Sequence, residues 1–194
     1  MKNGTQLTRA FFAQDTLKVA RNLLGARLVR LENGRRLSGV IIETEAYRGE
    51  EDLGCHCRAG RTKRTEIMYG LPGYSYIYFV YGMHWLLNFV TERDGFPGAV
   101  LIRAIIPDEG QGIIAVRRSE RPRAEWTNGP AKLCQALGIN GQQNGQDACA
   151  PNASIFVERG TEIPAERVSV AARVGLNTVP EPWKSIPWRF LAKV

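Results

Sequence analysis

The chain has 194 residues, enough for one domain with its own core and too few for two of ordinary size. Its 44% hydrophobic and 23% charged content excludes wholesale disorder and collagen-like structure. An excess of 26 basic over 19 acidic residues, a formal charge of +7, favours a polyanionic partner and is silent on fold.

In chain order, Met1 to Phe12 carries Lys and Arg with only the apolar pair Phe11-Phe12, so it lacks the apolar run of a signal peptide. Asp15 or Thr16 is placed to cap a helix with Leu17, Ala20, Leu23 and Leu24 at helical spacing, and Gly25 to end it. Asn33-Gly34 lies between Ala26 to Leu31 and Arg36 to Tyr47, the pattern of a hairpin with a primed turn. Period two along the second strand sets Glu43, Glu45 and Tyr47 on one face and Ile42, Thr44 and Ala46 on the other. From Ile67 to Thr91 no charged residue occurs. Gly70, Pro72, Gly73, Gly82, His84 and Asn88 interrupt that stretch and its tyrosines alternate, which predicts buried strands rather than a membrane helix. The strands run from Tyr74 to Tyr81 and from His84 to Thr91 around Gly82, with Asp94-Gly95 turning into Ala99 to Ile106. A short helix is expected over Ile113 to Arg118. The next has Asn128 near its cap, Pro130 in its first turn, Leu133 and Leu137 on one face and Gly138 beyond its end. Pro180 to Pro187 reads as an irregular surface segment docked by Trp183 and Trp188. Central strands with helices at the ends predict an α+β fold, a single domain over residues 1–194 with a mainly antiparallel sheet.

Glu43 and Glu45 share a strand face in an otherwise apolar segment, where carboxylates are costly unless paired or used. Spacing alone leaves open a solvated face, an ion pair with nearby arginines, and catalysis. Tyr74, Tyr76 and Tyr78 alternate, with Tyr81 at the hairpin tip, approximating the aromatic strand of an RNA recognition motif; structural tyrosines fit the pattern equally. Arg58, Arg61, Lys63 and Arg64 form one basic cluster and Arg117, Arg118, Arg121 and Arg123 another, candidates for phosphate contacts or for plain solvated surface. Cys55-His56-Cys57 places metal-capable residues side by side, but adjacent ligands strain a tetrahedral site and no second spaced pair completes it, so no metal is expected. The four cysteines, Cys55, Cys57, Cys134 and Cys149, are too few and too unevenly spaced for a disulfide scaffold and read as reduced. Gly110-Gln111-Gly112 lacks the third glycine of a dinucleotide fingerprint and reads as a loop entering a helix. No phosphate-loop or nucleophile-elbow motif is present.

Several longer segments occur in a fixed order. They are Leu24-Gly25 with Leu28-Val29-Arg30, then Ile41-Ile42-Glu43-Thr44-Glu45-Ala46-Tyr47 with His56 beyond it, and Met68-Tyr69-Gly70-Leu71-Pro72-Gly73. Tyr76-Ile77-Tyr78-Phe79-Val80-Tyr81-Gly82-Met83-His84 with Asn88, Val100-Leu101-Ile102-Arg103-Ala104, Gly129-Pro130-Ala131-Lys132-Leu133-Cys134-Gln135-Ala136-Leu137 and Ala171-Ala172-Arg173-Val174-Gly175 complete it. Together, from about Leu7 to Phe190, they resemble the alkyladenine (3-methyladenine) DNA glycosylase family.

The resemblance implies a curved antiparallel sheet flanked by helices. It implies a monofunctional glycosylase of base excision repair that flips alkylated or deaminated purines out of duplex DNA and hydrolyses the N-glycosidic bond with a Glu-activated water. Glu45 would be the general base, and Arg103 would help hold that water and the adjoining backbone. Tyr47, His56 and Tyr78 would enclose the extruded base. Asn88 would lie at the pocket floor and disfavour guanine, and Tyr81 would enter the duplex. On charge rather than on the resemblance, Arg58, Arg61, Lys63 and Arg64 are the candidates to meet the DNA backbone. The implied partner is double-stranded DNA containing damaged purines, with no cofactor and no membrane. The oligomeric state stays open, although a monomer suits a small enzyme that slides on DNA; the expected place is the cytoplasm, at the nucleoid, if bacterial and the nucleus if eukaryotic. Lys63 departs from the proline that bacterial relatives carry in an Arg-Thr-Pro-Arg segment, and the chain stops soon after Trp188-Arg189-Phe190 without the strand-like tail common in relatives.

The chemistry is coherent on physical grounds. A base inside a duplex hides its glycosidic bond, so the nucleotide must be extruded and the gap filled by an apolar or aromatic wedge. A cationic alkylated purine stacks on tyrosine by cation–π attraction of roughly 0.5 to 2 kcal/mol. It is also a good leaving group, so a carboxylate that delivers water suffices. No lysine lies at a matched pocket position, so water rather than an amine is the expected nucleophile, without strand cleavage. A noncatalytic RNA or single-strand binding module would use the tyrosine strand and leave Glu45 without a task. A hydrolase of free nucleosides would need neither the basic clusters nor Tyr81.

Overall fold

The computed structural model describes residues 4–119 and 121–193. The first three residues of the stretch from Met1 to Phe12, together with Glu120 and Val194, lie outside the described residues. A single turn, α1 (Arg9–Phe12), which no periodicity announces, precedes α2 (Thr16–Asn22). Asp15 caps α2 by accepting hydrogen bonds from the Leu17 and Lys18 N–H groups. Gly25 follows at φ +84°, and a Cβ there would lie 2.0 Å from the Thr161 carbonyl oxygen, so conformation and space both require glycine.

Strands β1 (Arg27–Glu32) and β2 (Arg35–Arg48) form the expected hairpin. Asn33 and Gly34 take φ +50° and +73° between them, as a primed turn demands. Strands β3 (Ser75–Val80), β4 (His84–Val90) and β5 (Gly98–Pro107) come next, then helices α3 (Gln111–Arg117) and α4 (Pro130–Leu137). Gly129 rather than Asn128 caps α4, and Asn128 instead accepts a hydrogen bond from Lys132 Nζ at 2.9 Å. The final third returns to strand in β6 (Ile155–Glu158), β7 (Val168–Ala171) and β8 (Arg189–Ala192). This corrects the expectation of helices at the ends. Each of these strands has four residues, too few for alternation to stand out from loop sequence. Pairing makes them strands: β6 on β1, β8 on β2, and β7 on β8.

The result is one curved antiparallel sheet ordered β3-β4-β5-β2-β1-β6, with β8 alongside β2 and β7 beyond it, in an α+β fold. Alternation sorts its side chains. Leu87, Phe89, Val100 and Ile102 enter the main core with Phe12, Val19, Leu23, Leu133 and Leu137 from the helical side. Tyr76, Val90 and Ala99 face the other way and join Cys55, Cys57 and Met68 in a smaller cluster edged by Tyr47, Tyr74 and Tyr78. Among the described residues no helix is long and apolar enough to cross a membrane.

Alternation breaks at one place. Ile41 pairs with Ile105, Glu43 with Ala104, and Thr44 with Ile102. Ile42 is therefore an extra residue in β2 and Arg103 an extra residue in β5, two bulges that cancel in register. Ile42 leaves the period-two pattern, whereas Glu45 and Tyr47 keep it opposite Leu101 and Ala99. A bulge re-aims a side chain, and here it turns Arg103 toward two carboxylates. Past Ile42, β2 is flanked by β5 on one edge and β8 on the other, so Glu43 and Glu45 stand in mid-sheet.

Candidate active site

Pairing makes Tyr76, Asn88, Leu101 and Glu45 neighbours in turn across β3, β4, β5 and β2. Residues paired in this way rise from the same face. Glu45 is 0% exposed. Its Oε1 accepts the Val174 backbone N–H at 2.7 Å and faces Arg103 Nη1 at 3.3 Å, while Oε2 accepts the Tyr47 hydroxyl at 2.8 Å. Burial raises the Glu45 pKa above its ordinary value, and Arg103 and the two hydrogen bonds oppose that rise without cancelling it. The group is a stronger base than an exposed glutamate.

Glu43, on the same face, accepts Arg103 Nε at 2.8 Å and Arg189 Nη1 at 3.3 Å on one oxygen. It is an ion-paired carboxylate, one of the arrangements the spacing left open. Arg103 thus spans both acids.

In front of Glu45 lies a cavity of about 290 Å³ lined by Tyr47, His56, Tyr76, Tyr78, Tyr81, Asn88, Arg103 and Val174 among others. It is at the small end of ligand pockets, which run roughly 300–1,000 Å³. Glu45 stands behind Tyr47, Arg103 and Val174. His56 opens a 3₁₀ turn (His56–Ala59). Its Nδ1 lies 2.9 Å from the Tyr76 hydroxyl, and its ring meets Tyr78 edge-on at 4.5 Å. Burial first, then the guanidinium groups of Arg64 and Arg58, hold the His56 pKa down to about 4, so the imidazole is neutral at neutral pH. Burial also pushes the Tyr76 hydroxyl up to about 12 and those of Tyr47 and Tyr78 upward, keeping the phenols neutral. Asn88 is buried, and its Nδ2 donates to the Tyr76 carbonyl oxygen at 2.9 Å.

Tyr81 is 83% exposed. It opens the three-residue turn to β4 at φ +53°, followed by Gly82 at +67°. A left-handed tyrosine is uncommon, and this one takes the ring out of the sheet's alternation to the rim of the cavity. The basic loop does not act as a block. Arg64 leans on the cavity wall, 3.4 Å from His56 Nε2 and 5.5 Å over the Tyr78 ring. Arg58 donates to the Leu53 carbonyl at 2.9 Å, Arg61 pairs with Glu66 at 3.2 Å, and Lys63 is exposed. Arg58 and Arg64 both line a groove that continues from the cavity past His56 and Gly175. In the second cluster Arg117 is tied to Glu32, and the buried Arg118 to Gln135. Cys55 and Cys57 are buried and unbridged, with Cys57 Sγ 3.4 Å from Met68 Sδ.

Three residues of the site carried no role in the sequence reading: Tyr76, Arg173 and Val174. Tyr76 was visible in the tyrosine alternation. The other two stand in the matched segment from Ala171 to Gly175, but Val174 meets Glu45 across 129 residues, and nothing local encodes that contact.

Residues 10–194 match the sequence profile of the family described as Methylpurine-DNA glycosylase. A protein of Methanocella arvoryzae named "Putative 3-methyladenine DNA glycosylase" is 44% identical over 96% of this chain and 92% of its own length. Proteins of the same name from Desulfitobacterium hafniense and Carboxydothermus hydrogenoformans are each 43% identical, covering 95% and 96% of this chain and 94% and 95% of their own. With a profile match over nearly its whole length and relatives at this identity, the chain belongs to the methylpurine-DNA glycosylase family, a family of enzymes.

Proposed function

We propose that the protein is a monofunctional DNA glycosylase that extrudes an alkylated or deaminated purine from duplex DNA into the cavity between Tyr47, His56 and Tyr78. Glu45 then activates the water that hydrolyses the N-glycosidic bond. The observation that carries this reading is a completely buried carboxylate, bonded to Tyr47 and facing Arg103, directly behind a cavity walled by Tyr47, His56, Tyr76 and Tyr78 with room for a base. A carboxylate has about four lone-pair sites. Val174 and Arg103 face Oε1 and Tyr47 faces Oε2, which leaves one lone pair of Oε2 unclaimed; the carboxyl is closed to solvent, so entry of the base must admit the water that takes this position. Glu45 takes a proton from that water, the oxygen bonds to the sugar C1′, and the C1′–N bond breaks with its electron pair on the departing base. A cationic alkylated base leaves as a neutral molecule. Neutral tyrosines and a neutral His56 around the cavity favour such a cation by cation–π attraction, while Arg103 offsets the charge of the two acids behind it.

The exposed ring of Tyr81 at the rim suits the wedge that replaces the extruded base in the stack. Asn88 on the row beside Leu101 suits a role in rejecting guanine, and Arg64 and Arg58 suit phosphate contacts along the adjoining groove. Tyr76 is buried against His56, which argues against an open stacking platform for single-stranded RNA. The test is release of free base from one duplex context carrying 3-methyladenine, 7-methylguanine, hypoxanthine or ethenoadenine. Free base and an uncleaved strand with an abasic site are expected. Binding to each duplex without release of any base would sink the enzymatic reading in favour of the binding module.

A further inference from the structure

Arg173 and Asp52 form an ion pair with both side chains 0% exposed. Arg173 forks onto Asp52, Nη1 to Oδ2 at 2.5 Å and Nη2 to Oδ1 at 2.7 Å. Nη1 also donates to the Ala46 carbonyl at 3.0 Å, and Nη2 to the Trp183 carbonyl at 3.3 Å. The guanidinium centre lies 4.7 Å from the Tyr47 ring and 5.1 Å from the Trp188 ring. A buried pair of this kind is weak support for stability, because desolvating both ions offsets their attraction, so its place in the fold calls for a different account. Its contacts supply one. Ala46 lies between Glu45 and Tyr47 in sequence. The ring it faces belongs to the tyrosine that donates to Glu45 Oε2, and the next residue, Val174, donates to Oε1.

We propose that Arg173, locked by Asp52, is the positioning residue of the site: it fixes the Tyr47 ring and the backbone at Val174 so that both donors meet the two oxygens of Glu45. It acts through these donors and not on the substrate. The inference rests on the reading of Glu45 as the general base. The groups that face Glu45 are Glu43 and Tyr47 from β2, Arg103 from β5 and Tyr78 from β3, with the Val174 N–H from the loop before β8; Arg189 of β8 reaches it through Glu43. Both donors favour the anion, so loosening them moves the Glu45 titration to higher pH.

Arg173→Lys keeps the charge but loses the fork and the planar stack. In single-turnover excision across pH, it should slow the step about 10- to 100-fold, the scale of a small misplacement of reacting groups. It should also move the acid limb of the profile to higher pH and leave affinity for the damaged duplex unchanged. Asp52→Glu keeps the charge of the pair while displacing the fork, should give the same changes, and serves where Arg173→Lys does not fold. Direct ¹³C titration of the Glu45 carboxyl reads the same shift without reference to activity. Near-normal excision by Glu45→Gln would therefore remove the general-base reading while leaving the titration to judge the clamp. A folded variant whose Glu45 titration and acid limb match the wild type, with losses confined to thermal stability or binding, overturns the proposal. Failure of both variants to fold overturns it too, because Arg173 would then serve the fold alone.

Discussion

On one face of the sheet, Leu87, Phe89, Val100 and Ile102 meet the helices in a core of aliphatic and phenylalanine side chains. On the other, the intervening positions of the same strands present Asn88, Leu101 and Ala99, and beside them Tyr76, Glu45 and Tyr47 meet His56 and Tyr78. The first face is satisfied by volume, since apolar groups need only contact and exclusion of water. The second is satisfied by partners, because each buried polar group costs free energy unless it is hydrogen-bonded. Its carboxylate, imidazole and phenols accordingly bond one another, and they surround a space instead of filling it. The same alternation thus builds a packed surface and a hydrogen-bonded, cavity-lining one back to back.

The sharpest division between the faces is at Glu45. Glu45→Gln should reduce single-turnover excision about 100- to 10,000-fold, the usual cost of losing a general base, with the fold and duplex binding retained. Glu43→Gln, at the ion pair, should be much better tolerated, and equal losses in the two variants would erase the distinction between them. Next is the core. Leu87→Ala should cost about 2 to 5 kcal/mol of stability in denaturant unfolding while the rate per folded molecule stays near wild type. Tyr78→Ser should do the reverse, harming excision in every sequence context. A Leu87→Ala enzyme that is fully stable but slow would break the comparison.

Tyr81 belongs to neither face. If its ring offsets stacking lost on extrusion, an effect of up to a few kcal/mol, Tyr81→Ser should slow excision most for a well-paired lesion and least in a mismatch or bulge. Equal losses in both contexts would remove the wedge role. The smallest effect concerns acid. His56 titrates at about 4 in the fold against 6.5 unperturbed, so between those values the unfolded chain binds a proton that the folded one refuses. The stability present above pH 6.5 is therefore lost as pH falls toward 4. His56→Gln should flatten this part of the stability curve in thermal melts from pH 7 to 4, and an unchanged slope would show that His56 is not the group responsible.

Much of this was legible locally. The cap at Asp15, the Asn33-Gly34 turn, the alternation of β2 to β5 and the glycine beyond α4 each depend on a few adjacent residues, whose backbone preferences act before any tertiary contact forms. The ordered motifs also marked Glu45, Tyr47, His56, Tyr78, Asn88 and Arg103 as one group. The four-residue strands β6, β7 and β8 were not legible, since their own sequence is too short to prefer a strand and only a partner edge supplies the hydrogen bonds.

What the sequence by itself determined was the period of each long strand, the positions of its turns and therefore which residues could share a face. Only the tertiary structure decided which of two carboxylates on that face became fully buried. The paired bulges at Ile42 and Arg103 aimed one guanidinium at both acids. The end of the chain, folding back as β8, gave Glu43 its second arginine, while the segment before it brought Val174 and the Arg173–Asp52 pair to Glu45. The physical reason is range: backbone preference is set by neighbours in sequence, whereas desolvation and hydrogen-bond partners are set by whatever the fold brings within a few ångströms.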